Sequence, residues 1–217
     1  RQRQMCIRDS KFGRTTYNEF ITAIAKLKQA GCTSFVIDLR GNTGGYMDAA
    51  INMVNEFMPE GRLIVYTEGK AFPRNDVYTN GTGTCQDAPI VVLTDEFSAS
   101  ASEIFSGAIQ DNDRGTIIGR RTYGKGLVQT QMSLSDGSEM RLTIARYYTP
   151  SGRCIQKKYE MGNTDAYDQD IYNRYMHGEF DSADSIKMDD SLKYQTVGGR
   201  TVYGGGGIMP DIFIPRD

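Results

Sequence analysis

Apolar residues along the chain switch between helical and extended spacing, and the switches set the predicted elements. Phe20, Ile21, Ile24 and Leu27 recur at helical spacing behind Thr16-Tyr17-Asn18-Glu19, which has the form of a capping box, and Gly31 supplies the stop. Residues 35–39 are a buried-strand run. A second helix is predicted over 46–57, with Ala49, Ala50, Met53, Val54 and Phe57 on one side. Strands at 63–66 and 90–93 bracket a polar stretch rich in Gly, Thr and Asn, residues 68–87, expected as a loop or exposed hairpin. A third helix is expected over 100–111 and a strand at 116–118, while 127–130 and 140–145 alternate as sheet strands do. Residues 159–194 are charged and poor in aliphatic periodicity, which predicts a surface excursion with a short helix near 167–175. Regularity returns at 201–203 and 212–214. Strands alternating with helices predict an α/β domain whose mixed sheet is largely parallel, with antiparallel additions.

Residues 1–10, from Arg1 to Ser10, fit no period. They read as the translation of a transposase-type sequencing adapter, so they are treated as a scar that is not native and left out of the fold. On that reading the native N-terminus is missing. The remaining chain is long enough for a real core: the 217 residues are 39% hydrophobic and 24% charged, ordinary values for a globular domain. No apolar run approaches the roughly 20 residues of a membrane-spanning helix. A formal charge of −2 argues against a nucleic-acid partner, which usually leaves a basic stripe. Cys32, Cys85 and Cys154 are widely spaced with no metal-type pairing, and Cys32, just after Gly31, reads as a buried thiol.

The candidate chemistry lies in Phe97-Ser98-Ala99-Ser100-Ala101-Ser102-Glu103-Ile104 and in Tyr123-Gly124-Lys125-Gly126-Leu127. The chain has one histidine, His177, in a polar stretch far from both. A serine nucleophile needs a base, and a lysine serves if burial keeps its amine neutral. An exposed lysine has a pKa of about 10.4, so burial must remove roughly three units for action near pH 7. Ser100 to Glu103 also satisfies the S-x-x-E capping pattern, so Ser100 could simply cap a helix. The two roles are compatible, since backbone N–H groups at a helix start can receive an oxyanion. The small neighbours Ala99 and Ala101 leave room for a substrate backbone.

Residues 119–126 fit the G-x-x-x-x-G-K part of a phosphate loop, but Gly126 stands where Ser or Thr should hold magnesium, and a strand pattern follows instead of a helix. Lysine between glycines at a strand start instead suits close approach by another backbone. Arg40-Gly41-Asn42-Thr43-Gly44-Gly45 does not match G-x-G-x-x-G, so it reads as a tight turn or a second set of donors. Asp38 in an apolar strand needs a partner, and Arg40 is the nearest.

Residues 38–45, 98–104 and 122–129, closed by Gly206-Gly207-Ile208-Met209-Pro210-Asp211, together resemble the carboxyl-terminal processing peptidases, or tail-specific proteases. The resemblance runs from about Phe12 to Pro215 and implies a crotonase-like (ClpP/crotonase) peptidase core over 11–217, with 158–195 as an excursion. It implies a serine endopeptidase cleaving proteins near their C-termini through an acyl-enzyme. Ser100 is then the nucleophile, Lys125 the general base, Gln129 the residue orienting the amine, and Asp111 a supporting acid. The backbone N–H groups of Ala101, Gly44 and Gly45 form the oxyanion hole. No metal or organic cofactor is implied. The partners implied are proteins or peptides with exposed C-termini, the location is the bacterial cell envelope, and a PDZ-like domain and any membrane anchor lie outside this chain. Two other readings stay open: a non-catalytic module binding hydrophobic ligands or protein tails, and a crotonase-type enzyme acting on acyl-thioesters.

Overall fold

A computed structural model describes residues 4–159 and 164–216. In chain order the first half holds β1 (Gln4–Arg8), α1 (Thr16–Gln29), β2 (Ser34–Asp38), α2 (Met47–Asn55), β3 (Leu63–Glu68), β4 (Asn75–Tyr78), β5 (Ile90–Thr94) and α3 (Ala101–Asp111). The second half holds β6 (Thr116–Gly119), β7 (Leu127–Ser133), β8 (Glu139–Tyr148), α4 (Thr164–Asp168), α5 (Asp170–Met176), β9 (Lys193–Gln195), β10 (Thr201–Tyr203) and β11 (Ile212–Phe213).

The main sheet runs β1-β2-β5-β6-β11 with every pair parallel. Because its strands follow chain order, right-handed crossovers put α1, α2 and α3 on one face. The helices pack there in sequence, α1 on α2 and α2 on α3. A second, antiparallel sheet runs β4-β3-β8-β7, and α3 touches both its β3 and the main sheet's β6. The mixed α/β class with a parallel sheet agrees with the spacing of apolar residues, as do the positions of α1 to α3.

Two local expectations change. Thr16 does not cap α1: Thr15 is the cap residue, and the Thr16 hydroxyl donates to Lys11 O and accepts from Gly13 N–H. Gly31 does end the helix, at φ 82°, with Cys32 N–H donating back to Leu27 O. Residues 4–8, left out of the fold above, pair in parallel along β2 from Gln4↔Ser34 to Arg8↔Asp38. An edge strand is held by backbone groups, so this pairing requires little of the side chains.

The core gathers between the main sheet and the helices, and α3 is buried along its whole length. A fully buried helix is normally apolar all round, yet α3 carries Ser102, Glu103, Ser106, Gln110 and Asp111. Each is hydrogen-bonded: Ser102 to Asn42 O, Ser106 to Ser102 O, and Gln110 to Met209 O, for example. The helix therefore ties distant segments together by polar contacts.

Phe57, just past α2, meets Phe20, Phe35 and Phe105 edge-on at ring centroid distances of 6.0, 6.2 and 6.4 Å. Phe57→Ala is expected to cost about 3–5 kcal/mol, read as a lower urea midpoint at unchanged slope. A loss under about 1 kcal/mol would mean that the cluster is not the centre of the core.

Candidate active site

Three turns leave the carboxyl ends of β2, β5 and β6, where parallel sheets commonly place ligands. The strands are neighbours in register, Asp38↔Leu93 and Thr94↔Gly119, so their turns emerge side by side.

The first turn follows Asp38. This buried carboxylate receives the Arg40 guanidinium through Nε and Nη2, at 2.9 and 2.8 Å, and the Arg40 N–H at 3.1 Å. Burial pushes the Asp38 carboxyl up, but these donors outweigh it and hold it below the ordinary carboxylate range. Asn42 then folds the turn by accepting the Gly44 N–H on its side-chain oxygen, 2.9 Å. Gly44 adopts φ 90°, and a Cβ there would lie 2.5 Å from Ala99 O and 2.7 Å from Ser100 Cβ. Glycine is required by space as well as by φ.

The second turn carries Ser100. Asp95 Oδ1 accepts from the N–H groups of Gly41, Phe97 and Ser98, and Ala99 N–H donates to Asn42 O. These bonds lock the second turn onto the first. Ser100 sits at φ 56°, ψ −112°, an uncommon conformation for a residue with a side chain, at a cost of about 1–3 kcal/mol. Ala101 opens α3 directly after it, and its N–H has no protein acceptor among the described residues. Gly45 bridges Phe12, with Phe12 donating to Gly44 O and Tyr46 donating to Phe12 O, so the Gly45 N–H faces away from that bridge.

The third turn carries Lys125. Its glycines are explained by a second backbone: a Cβ on Gly126 would lie 2.4 Å from Gln156 N, and one on Gly124 would lie 2.9 Å from Lys157 Cβ. Strand β7 starts at Leu127, so the helix that a phosphate loop must open is absent there. The closing glycines pack on the same turn. Ile208 N–H donates to the Thr122 hydroxyl, and a Cβ on Gly207 would lie 2.7 Å from Thr122 O.

Glu103 joins the second and third turns. Its carboxylate is fully buried, with Oε2 accepting from Ser100 N–H and Lys125 N–H, both at 2.8 Å. Oε1 accepts from the Thr122 hydroxyl at 2.5 Å and Gly124 N–H at 2.6 Å. Burial pushes this carboxyl above its ordinary value in spite of the four donors. One oxygen shared by Ser100 and Lys125 makes the two residues spatial neighbours. Sequence reading saw Glu103 only as the far end of a capping box, with no signal for its reach to residues 122–125.

The other expected site residues divide. Lys125 is exposed, so the burial expected to neutralise its amine is not supplied by this chain, and no hydrogen bond joins it to Ser100 or Gln129. Gln129 lies on β7 beside a register shift, lining a groove of about 660 Å³ with Phe12, Gly45, Tyr46, Gln131 and Arg141. The Gly44 N–H is engaged by Asn42 and is not a free oxyanion donor. Asp111 ends α3, eleven residues and about 16 Å from Ser100 by helix rise. It is fully buried against Arg153 and accepts from Ser151 N–H at 3.0 Å, so its charge is structural rather than a support for the Ser100–Lys125 pair.

Comparison with known proteins gives consistent matches. Residues 5–165 match peptidase family S41. A carboxyl-terminal-processing protease of Synechocystis is 40% identical over 151 residues, 70% of this chain and 35% of that protein. The chloroplastic C-terminal processing peptidase of Tetradesmus obliquus is 39% identical over 148 residues, 65% of this chain and 32% of its own length. The solved photosystem II D1 C-terminal processing protease superposes with TM-score 0.70 at 27% identity, covering 98% of this chain and 42% of that one. The chain thus spans about a third of the length of the curated relatives it matches.

Two outcomes are expected. Glu103→Gln turns an amide nitrogen toward two of the N–H donors, at a cost of about 2 kcal/mol in urea unfolding; unchanged stability would show that the carboxylate does not hold the turns. Asp38 titrates lower folded than unfolded, so its stabilisation is present above about pH 4 and is lost as pH falls through the folded value. The stability gap between wild type and Asp38→Asn therefore narrows on acidification, and a gap independent of pH would count against the Arg40 pairing.

Proposed function

Since this chain belongs to peptidase family S41, we propose that it forms the catalytic part of a serine endopeptidase that cuts protein substrates near their C-termini. The observation that carries the reading is the single Glu103 oxygen shared by the Ser100 and Lys125 N–H groups. Other support comes from the strained Ser100 turn at the head of a buried helix and from the N–H groups of Ala101 and Gly45, which have no acceptor among the described residues.

In this reading neutral Lys125 takes the Ser100 proton as the hydroxyl oxygen attacks the scissile carbonyl. The N–H groups of Ala101 and Gly45 receive the oxyanion, and Gly44 contributes clearance rather than a donor. The ammonium returns its proton to the leaving amine, leaving an acyl-enzyme. A water that Lys125 deprotonates then releases the acid and regenerates the serine. Because Lys125 is exposed in the chain alone, the substrate or another part of the longer protein must cover it to remove water. Gln129 would meet the substrate in its groove before it meets the lysine.

The crotonase-like classification is part of the same proposal, supported by strands in chain order with helices wound onto one face. So are substrate tails as partners, by likeness to the processing proteases named above, and a place in the bacterial cell envelope, which rests on the family resemblance of the motifs alone.

The test is cleavage of an unfolded protein with an apolar tail, together with labelling by a serine-directed phosphonate. Ser100→Ala and Lys125→Ala are each expected to reduce cleavage by at least about 10³-fold, and Ser100→Ala to abolish labelling. Cleavage that survives Lys125→Ala would remove the mechanism.

A further inference from the structure

Residues 159–194 read in sequence as a surface excursion with no function, yet part of it is fastened to the turn that carries Lys125. On α5, Arg174 is buried, donating from Nη2 to Arg121 O at 2.7 Å and from Nη1 to Thr122 O at 3.1 Å. Its Nε donates to Glu179 Oε1 at 2.9 Å. The same carboxylate receives the Arg121 guanidinium on both oxygens, each at 2.7 Å. One residue further on, Tyr123 faces the Lys157 amine, which lies 4.2 Å from the Tyr123 ring and 4.2 Å from the Tyr167 ring and donates to Asp170 at 3.3 Å. Residues 121 and 122 are thus held directly from the excursion, and Tyr123 through Lys157, which the excursion's Tyr167 and Asp170 hold in turn.

These contacts lie two links from the reacting groups. Thr122 presents its carbonyl to Arg174 and its hydroxyl to Glu103, and Glu103 in turn accepts the N–H groups of Gly124, Lys125 and Ser100. Residues 120–126 form no helix or strand of their own, so they rely on such partners for their course. A lysine amine at the end of a four-carbon stem reaches only where its backbone lets it, and a misplacement of about 1 Å can cost about 10²-fold in rate. A planar guanidinium meets two successive carbonyls and a carboxylate with a fixed fork of donors, whereas an ammonium offers its three donors from a single point.

We propose that Arg174 is a positioning residue for the base of this site, acting through Thr122 and Glu103 to set where Lys125 stands. The inference rests on the Ser100–Lys125 reading for its catalytic consequence, but its structural half can be tested without activity. Amide hydrogen exchange is measured on the whole chain. Arg174→Ala is expected to speed exchange at Thr122, Gly124 and Lys125 at least tenfold while Phe35 and Val92 in the main sheet stay as slow as before. In the cleavage assay the same variant is expected to lose about 10²-fold in kcat with KM changed less than threefold, and Arg174→Lys to recover part of the loss. Glu179→Gln keeps the guanidinium and removes its carboxylate; it is the second variant if Arg174→Ala does not fold, with the same changes expected at smaller size. Unchanged exchange at Gly124 and Lys125 in a folded variant overturns the proposal, as does a kcat loss fully restored by correcting for the unfolded fraction. Wild-type protein inert toward substrate and phosphonate would instead mark failure of the peptidase reading, and the exchange result would still decide the role of Arg174.

Discussion

A carboxylate with no access to water organises this molecule. Glu103 brings a negative charge into the centre of the fold, where an isolated carboxylate is strongly disfavoured, and four donors surround it. Those donors come from two turns more than twenty residues apart in sequence. Neither turn can drift without leaving the carboxylate short of partners, so its burial cost becomes a restraint on geometry. The same logic holds at the other end of α3, where Asp111 and Arg153 neutralise each other out of solvent. That pair fastens the end of α3 to the segment that carries Ser151 and Arg153.

Ser100 and Lys125 stand on turns at the carboxyl edge of the parallel sheet, each turn tied to Glu103. Ser100 stands between a parallel strand and a buried helix, and its turn is bonded to the glycine turn beside it through Asp95, Asn42 and Ser102. Lys125 is anchored by its backbone N–H on Glu103, and the residue is exposed.

Much of this was legible in the residues. Apolar spacing located α1 to α3 and strands β2, β3 and β5, because each of these elements buries a regular face, while β4 fell in a stretch expected as a loop or exposed hairpin. The serine turn, the glycine turn, the lysine turn and the closing glycines each had a local signature, and the structure brings all four to one place. What escaped was pairing across long stretches of chain. Nothing near Asp111 announces Arg153, and nothing near Arg121 or Thr122 announces Arg174. Gly44 was expected to offer its N–H, and the neighbouring Asn42 takes it by a side-chain turn that a sequence permits without requiring. Exposure of Lys125 was equally hidden, since burial of a side chain depends on everything packed around it.

The contact between Thr122 and Ile208 has a consequence for biosynthesis. The threonine hydroxyl gains its donor from a residue 86 positions further along the chain. During vectorial synthesis at about 5–20 residues per second, Ser100 and Lys125 emerge well before that donor exists. A nascent polypeptide therefore carries both residues with their scaffold incomplete, and finishing the lysine turn is deferred until nearly all of this chain has been translated.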